Sequence, residues 1–273
     1  MKLSFTTLSC PKWTWEQILE QATSSGYDGI EIRGVLDTME TVKIEQFTED
    51  NLANTMKNLK ELNLEIPCLD TSCFFDDADK VKASLKEGKE TIDLAQKMGV
   101  KYIRVFGDSI KEGDYDATAQ RIADALDILG EYGEDKNVMP LLETHGDFSG
   151  SKPVLDVLNR TTNKNIGVLW DINHPYRRSG EEMMYTAKKL APYIKHVHLK
   201  DSEGEGKDAK LKIVGEGTIP IEETLAALIA IGYDDYVSFE WEKRWHEDIE
   251  DPEIALPQYV QTINNILNKI NGG

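Results

Sequence analysis

The chain is poor in several things, and each shortage excludes something. Only Cys10, Cys68 and Cys73 are cysteines among 273 residues. Their number is odd and their spacing fits no zinc motif, so they read as free thiols of a reducing compartment rather than as a disulfide framework. Cations are scarce beside anions: 31 Lys and Arg stand against 49 Asp and Glu, a net charge of −18. That balance argues against nucleic acid, which is held by basic patches. It is compatible with a small anionic substrate, because a few local cations override the global field at close range. No apolar run approaches the ~18 residues of a membrane span. No basic segment followed by an apolar one opens the chain, so no signal peptide is expected and the expected location is the cytoplasm. No Gly-x-Gly-x-x-Gly follows the first apolar run, which removes the dinucleotide fingerprint.

What is present is alternation. Short apolar runs at 2–7, 27–33, 64–71, 102–107, 139–143, 166–171, 194–199 and 236–241 predict eight strands. Between and after them, apolar residues at helical spacing predict helices at 14–25, 76–98, 115–132, 152–159, 181–190, 221–231 and 257–270, and another carrying Leu52, Met56, Leu59 and Leu62 behind Thr48 as N-cap. The strand runs are nearly continuous in apolar residues, as expected when both faces are covered. Strand and helix in strict alternation predict a parallel α/β fold, and eight units at this length favour a single (β/α)8 TIM barrel over residues 1–273 rather than an open doubly wound sheet. The glycine-rich, charged stretch 201–212 reads as a loop.

The chemistry gathers where the later strands end. Glu143 closes one run, Asp171 the next, His198 the third and Glu240 the fourth. Active sites of parallel barrels sit at the C-terminal ends of the strands. Any one of these acids alone is an ordinary solvated charge at a loop edge. Four together, each directly after a buried run, predict a metal site. Three carboxylates and one imidazole suit a hard divalent ion, Mn²⁺ or Mg²⁺, with Co²⁺ or Zn²⁺ as further candidates. Without a cation, three such carboxylates repel one another, and some would have to protonate.

Other residues surround this set. His145 lies two residues after Glu143 and points the same way, as a candidate acid/base or substrate contact. His174, three after Asp171, is either a substrate or metal contact or a loop histidine. Lys200 shares the alternation of His198 and points inward, to hold a substrate oxygen or to balance the acids. Glu31, Arg33 and Arg104 end strands on the other half of the barrel and line the substrate side; for Arg104 a salt bridge at the mouth is an equal reading. His196 is the commoner packed core histidine, and His246 lies in a late loop without a chemical role. Trp241-Glu242-Lys243-Arg244-Trp245 brings aromatics and cations to the mouth, to cover a sugar face or to pack on a neighbouring subunit.

Glu143, Asp171-x-x-His174, His198 and Glu240 together resemble the xylose isomerase-like barrel superfamily, the sugar phosphate isomerase/epimerase group related to endonuclease IV. The resemblance covers essentially the whole chain. It implies that Glu143 and Glu240 both bind the metal and serve as acid and base, as the matching glutamates do in ketose epimerases and in inosose and hydroxypyruvate isomerases. It also implies the chemistry: a divalent ion chelates a carbonyl and its neighbouring hydroxyl while a proton leaves carbon and returns. The substrate expected is a small keto-sugar or keto-cyclitol, and homo-oligomers are common among such barrels. Glu143-Thr144-His145 is similar to the triplet of 3-dehydroshikimate dehydratases, so a lyase is the rival reading. A barrel that binds sugar without turning it over is the remote one. Endonuclease IV carries extra histidines on its third and fourth strands; here those strands offer Asp70 and Arg104.

Overall fold

The apolar runs pair side by side. In the computed structural model, which describes residues 1–110 and 114–272, they form β1 (Lys2–Thr6), β2 (Gly29–Glu31), β3 (Leu69–Phe74), β4 (Tyr102–Phe106), β5 (Met139–Glu143), β6 (Gly167–Asp171), β7 (Ile194–Leu199) and β8 (Tyr236–Phe239). All eight are parallel, in the order β2-β1-β8-β7-β6-β5-β4-β3. The two ends of that series meet. Single bridges join Gly29 to Glu65 and Ile32 to Leu69, and Ile30 N donates to Glu65 O at 2.9 Å and Asp70 N to Ile32 O at 2.8 Å. The sheet therefore closes into the expected barrel, which leaves no unpaired edge.

Helices clothe the outside: α1 (Trp15–Ser25), α2 (Glu49–Glu61), α3 (Val81–Met98), α4 (Tyr115–Glu134), α5 (Ser151–Arg160), α6 (Asn173–Ser179), α7 (Met183–Leu190), α8 (Ile221–Ala230) and α9 (Pro252–Gly272). α1 illustrates how local sequence sets them. Thr14 Oγ1 accepts from Gln17 N while Gln17 Oε1 accepts from Thr14 N, a reciprocal cap. Gly26, at φ 79°, ends the helix in the left-handed region. Between these points Trp15, Ile18, Leu19 and Ala22 face inward and are buried. Ile18, Ile92, Leu126, Val157 and Leu228 are all fully buried on the helix side of the sheet layer. Each such side chain stabilises the fold by about 2 kcal/mol.

Several elements differ from expectation: α3 begins at Val81 instead of 76, and β2 covers only Gly29–Glu31 of 27–33. The third strand starts later than 64, at Leu69, because Pro67 offers no N–H to the ladder. Asp70 is thus near the start of β3, deep in the barrel, beside Arg104 in register. Residues 201–212 form an antiparallel hairpin, Asp201–Glu203 with Lys210–Lys212, where a loop was expected. The buried Asp201 carboxylate holds its base by accepting from the N–H groups of Ser202, Gly215, Gly217 and Ile219. α6 was not expected because Asn173-His174-Pro175-Tyr176-Arg177-Arg178 shows no apolar period; Asp171 Oδ1 accepts from Asn173 N at 2.9 Å and starts the turn. The last helix begins at Pro252, with Pro257 inside it, since proline is well tolerated at a first helical position. Among the described residues no helix is long and apolar enough to cross a membrane.

The closing seam is tight. A methyl group on Gly29 would stand 2.8 Å from Glu65 O and 2.8 Å from the Tyr236 ring. Gly29→Ala is therefore expected to lose about 3 kcal/mol of stability, read from urea unfolding, through overpacking against backbone that has little room to give. An unchanged midpoint would contradict the closed seam.

Candidate active site

Parallel pairing carries the chemistry to one rim. Asp171 at the end of β6 lies in register with His198 on β7, and His198 with Ser238 on β8, two residues before Glu240. Glu143 ends β5 beside Phe106 and Leu169. Thr144 locks the β5–β6 corner: its hydroxyl accepts from Asp171 N at 2.9 Å and donates to Asp171 O at 3.0 Å. One ligand atom from each of Glu143, Asp171, His198 and Glu240 can be chosen so that all lie within 4.8 Å of one another, and all four residues are buried.

The donor set fits a divalent ion. Glu143 Oε2, Asp171 Oδ2 and His198 Nδ1 are buried and make no well-directed hydrogen bond, although opposite charges stand near each. Buried polar atoms left without a directed partner are costly unless something else engages them. His198 is oriented for the purpose. Its Nε2 pairs with Glu31 Oε1 at 2.9 Å, which leaves Nδ1 toward the cluster, 3.3 Å from Glu240 Oε1. A carboxylate behind a ligating histidine is a recurrent means of setting its tautomer and ring angle.

Glu31 was expected to line the substrate side. It is instead fully buried under the cluster, with its second oxygen on His196 Nε2 at 2.9 Å. Burial disfavours its charge, but His196 and His198 outweigh this and hold its pKa well below the carboxylate range. His196, expected as a packed core residue, is buried and bonded to that same carboxylate.

Two cations answer the acids. Lys200 Nζ is 2.8 Å from Asp171 Oδ2 and 2.5 Å from both Glu240 Oε2 and Glu242 Oε1. Burial opposes charge on Lys200, yet Asp171, Glu240 and Glu242 raise its pKa well above the ordinary value. The same contacts act on the partners. Burial works against ionised Asp171, and Lys200 and His174 overcome it and hold Asp171 at about 2. Arg104 lies 3.3 Å from both Asp70 Oδ2 and Glu143 Oε2, so the salt-bridge reading describes its present contacts. Asp70 and Glu143 respond mainly to burial, which pushes them up to about 6 and about 8.

His145 and His174 stand at the rim, their rings edge-on at 4.7 Å. His174 Nε2 is 3.2 Å from Asp171 Oδ2. His145 Nδ1 pairs with Asp108 Oδ1 at 2.7 Å, and this hydrogen bond lowers the Asp108 pKa. Leu8, Arg33, Phe74, Arg104, Phe106, Glu143, His145, His174, Lys200, Glu240, Glu242 and Trp245 surround a cavity of about 270 Å³ above the cluster. Sequence reasoning had passed over Asp108 and had not singled out Glu242. Asp108 stands two residues past β4 and Glu242 three past β8, so a survey of acids in the segments just beyond the strands would have found both. His246 is half exposed, with its Nε2 3.7 Å from Glu242 Oε2.

A closed parallel barrel with this acid and histidine cluster at the C-terminal ends of β5 to β8 defines a class of barrel enzymes. The chain belongs to the xylose isomerase-like TIM barrel family, whose model matches residues 19–262. It is an enzyme of that family. Fructoselysine 3-epimerase of Escherichia coli O157:H7 is 26% identical over 88% of this chain and 90% of that one. Inosose dehydratase of Bacillus anthracis is 26% identical over 89% and 85%. An uncharacterised protein of Methanocaldococcus jannaschii is 31% identical, but the match spans 51% of this chain and about half, 48%, of that relative. Among solved structures, the IolI protein with a bound zinc atom superposes with a TM-score of 0.82 at 22% identity, over 98% of this chain and 99% of that one, and shares the fold.

Two outcomes follow from this arrangement. Without metal, Glu143 keeps its proton up to about pH 8, because burial raises it. A carboxyl raised in the fold favours the folded state least at high pH, so this group alone lowers metal-free stability as pH rises from about 4.5 to 8. Divalent-ion binding at pH 7 should therefore release at least one proton, with affinity rising about tenfold per pH unit from 6 to 8. Calorimetry in buffers of different ionisation enthalpy measures this, and pH-independent binding would contradict it. Glu31→Gln should weaken metal binding about 10- to 100-fold by loosening His198; wild-type affinity in that variant would remove the orienting role.

Proposed function

We propose that this chain is a divalent-metal-dependent isomerase or epimerase of a small keto-sugar or keto-cyclitol. The reading is carried by one observation, the convergence of ligand atoms from Glu143, Asp171, His198 and Glu240 within 4.8 Å of one another. Those four residues would hold the ion, Mn²⁺ or Mg²⁺ by the oxygen-rich donor set; the zinc of IolI supports a metal at such a site and leaves its identity to measurement. Bound there, a divalent ion acts as a Lewis acid that polarises a carbonyl and its neighbouring hydroxyl.

The chain's own residues supply the proton chemistry. Glu143 and Glu240 come from strands three apart in the chain order and flank the floor of the cavity. Each is held by a cation, Glu143 by Arg104 and Glu240 by Lys200. Fixed carboxylates on two sides of a bound sugar can remove a proton from carbon beside a carbonyl and return one. Return to the opposite face of the same carbon is epimerisation, and return to the next carbon is isomerisation. A cavity of about 270 Å³ is of a size to take one monosaccharide or cyclitol ring, which supports a small substrate. His174 and Lys200 line it within reach of substrate hydroxyls. The three cysteines are buried and unpaired, which supports a cytoplasmic enzyme.

A second reading has an observation of its own. The Asp108–His145 pair is an imidazole steered by a carboxylate at the cavity wall, a suitable general acid for a departing hydroxyl. It favours dehydration, the activity that the name of the Bacillus anthracis relative gives that protein.

Metal-loaded protein incubated with keto-sugars in D₂O separates the two. Deuterium entering recovered sugar without loss of water supports the isomerase or epimerase. Loss of water with a new conjugated chromophore, abolished in His145→Ala, supports the lyase. Glu240→Gln should slow exchange about 10³-fold while the barrel stays folded. Near-normal exchange in that variant would rule out Glu240 as the base.

A further inference from the structure

The cavity is electrically lopsided. On the β6–β8 side, Lys200 is matched by Asp171, Glu240 and Glu242. On the β2–β4 side two guanidinium groups, Arg33 and Arg104, line the wall with the stacked rings of Phe74 and Phe106, whose centroids are 4.8 Å apart. Arg33 is only 8% exposed. Its Nη1 donates to Met39 O at 3.2 Å and its Nη2 to Ser72 Oγ at 2.9 Å, both neutral partners. Among the described residues no carboxylate lies within ion-pair distance of it.

The neighbours do not complete the balance. Asp70 and Glu87 act on Arg33 only at longer range, and Arg104 and Arg244 repel it. Asp70 is already paired with Arg104. Arg104 lies over the Phe106 ring at 3.9 Å, and its buried Nη1 has no hydrogen-bond partner. Arg104 is answered by Asp70 and by Glu143, the second of which belongs to the metal-ligand set, whereas Arg33 has no carboxylate of its own and is left as one guanidinium without a counter-ion on this wall. A cation taken out of water without a counter-ion is costly. Burial, and then the like charge of Arg104, depress the Arg33 pKa to about 10.

We propose that Arg33, with the unpartnered edge of Arg104, is a binding site for a carboxylate carried by the substrate, so that the enzyme takes a polyhydroxy keto acid in preference to a neutral sugar. The planar fork of a guanidinium matches a planar carboxylate, and one surplus charge matches a monoanion better than a phosphate dianion. The acid group then docks at the Phe74–Phe106 wall, which turns the carbonyl toward Glu143 and Glu240. This inference rests on the reading of the chain as a metal-dependent sugar enzyme.

A matched set tests it: D-fructose, D-fructuronate and D-fructose 6-phosphate differ only in the group at the far carbon. Binding to Mn²⁺-loaded protein is measured by calorimetry, and carbon-bound proton exchange is followed in the same samples. Fructuronate should bind at least tenfold more tightly than fructose and more tightly than the phosphate. Arg33→Met should abolish that preference, and Arg33→Lys should keep part of it. Arg33→Gln, which retains a donor for Met39 O, serves if the Met variant does not fold. No acid preference in the wild type, a preference that survives loss of the Arg33 charge, or preference for the phosphate overturns the proposal. Exchange with fructose and no acid preference sinks the carboxylate site alone. An acid preference with no exchange sinks the isomerase reading and leaves the site standing.

Discussion

Mutual repulsion among buried carboxylates is the constraint on which this structure turns. Glu143, Asp171 and Glu240 stand together with His198, their ligand atoms gathered within 4.8 Å and largely shut off from water. Like charges at such range in a poor dielectric destabilise one another strongly. The surroundings read as a response to that strain. Lys200 reaches three acids at once, Arg104 bridges two, and Glu31 draws two histidines into a chain beneath. A divalent cation would discharge the same repulsion at its source, and the orphaned atoms of three of the four residues face the place where it would sit.

The fold makes this concentration affordable by spreading its attachment. Each acid is fastened to a different strand, each strand is hydrogen-bonded to both neighbours, and the seam between β2 and β3 closes the ring. Precision at the rim comes from rigid elements instead of mobile loops, with Thr144 fixing one corner and Asp201 the base of the neighbouring hairpin. What distinguishes one reaction or substrate from another then falls to the residues above the cluster: Asp108 and His145 on one wall, Arg33 and Arg104 on another, Trp245 at the lip.

Much of this was legible in the residue order. Apolar runs such as 139–143 and 194–199 coincide with β5 and β7, because strands buried on both faces must be apolar almost throughout. The residues brought together at the rim could be named because a parallel barrel delivers all strand ends to the same side. Depth was harder to read. Glu31 shares the inward direction of the other strand-end groups, but β2 is three residues long and its end lies low in the barrel, so the carboxylate meets histidines and not the cavity. Asp70 sank in the same way when Pro67 delayed the start of β3. α6 left no periodic trace, since a seven-residue helix with one buried residue, Pro175, has no stripe to display. The pairing of Asp108 with His145 crosses 37 positions, and no spacing rule anticipates it.

Anomalous diffraction at the manganese edge, on crystals grown at neutral pH with Mn²⁺, tests the central claim most directly. The account predicts one strong peak ligated by Glu143, Asp171, His198 through Nδ1, and Glu240, with Glu31 still on Nε2. A map without manganese density there, and with Lys200 and Arg104 alone holding the carboxylates, would contradict it.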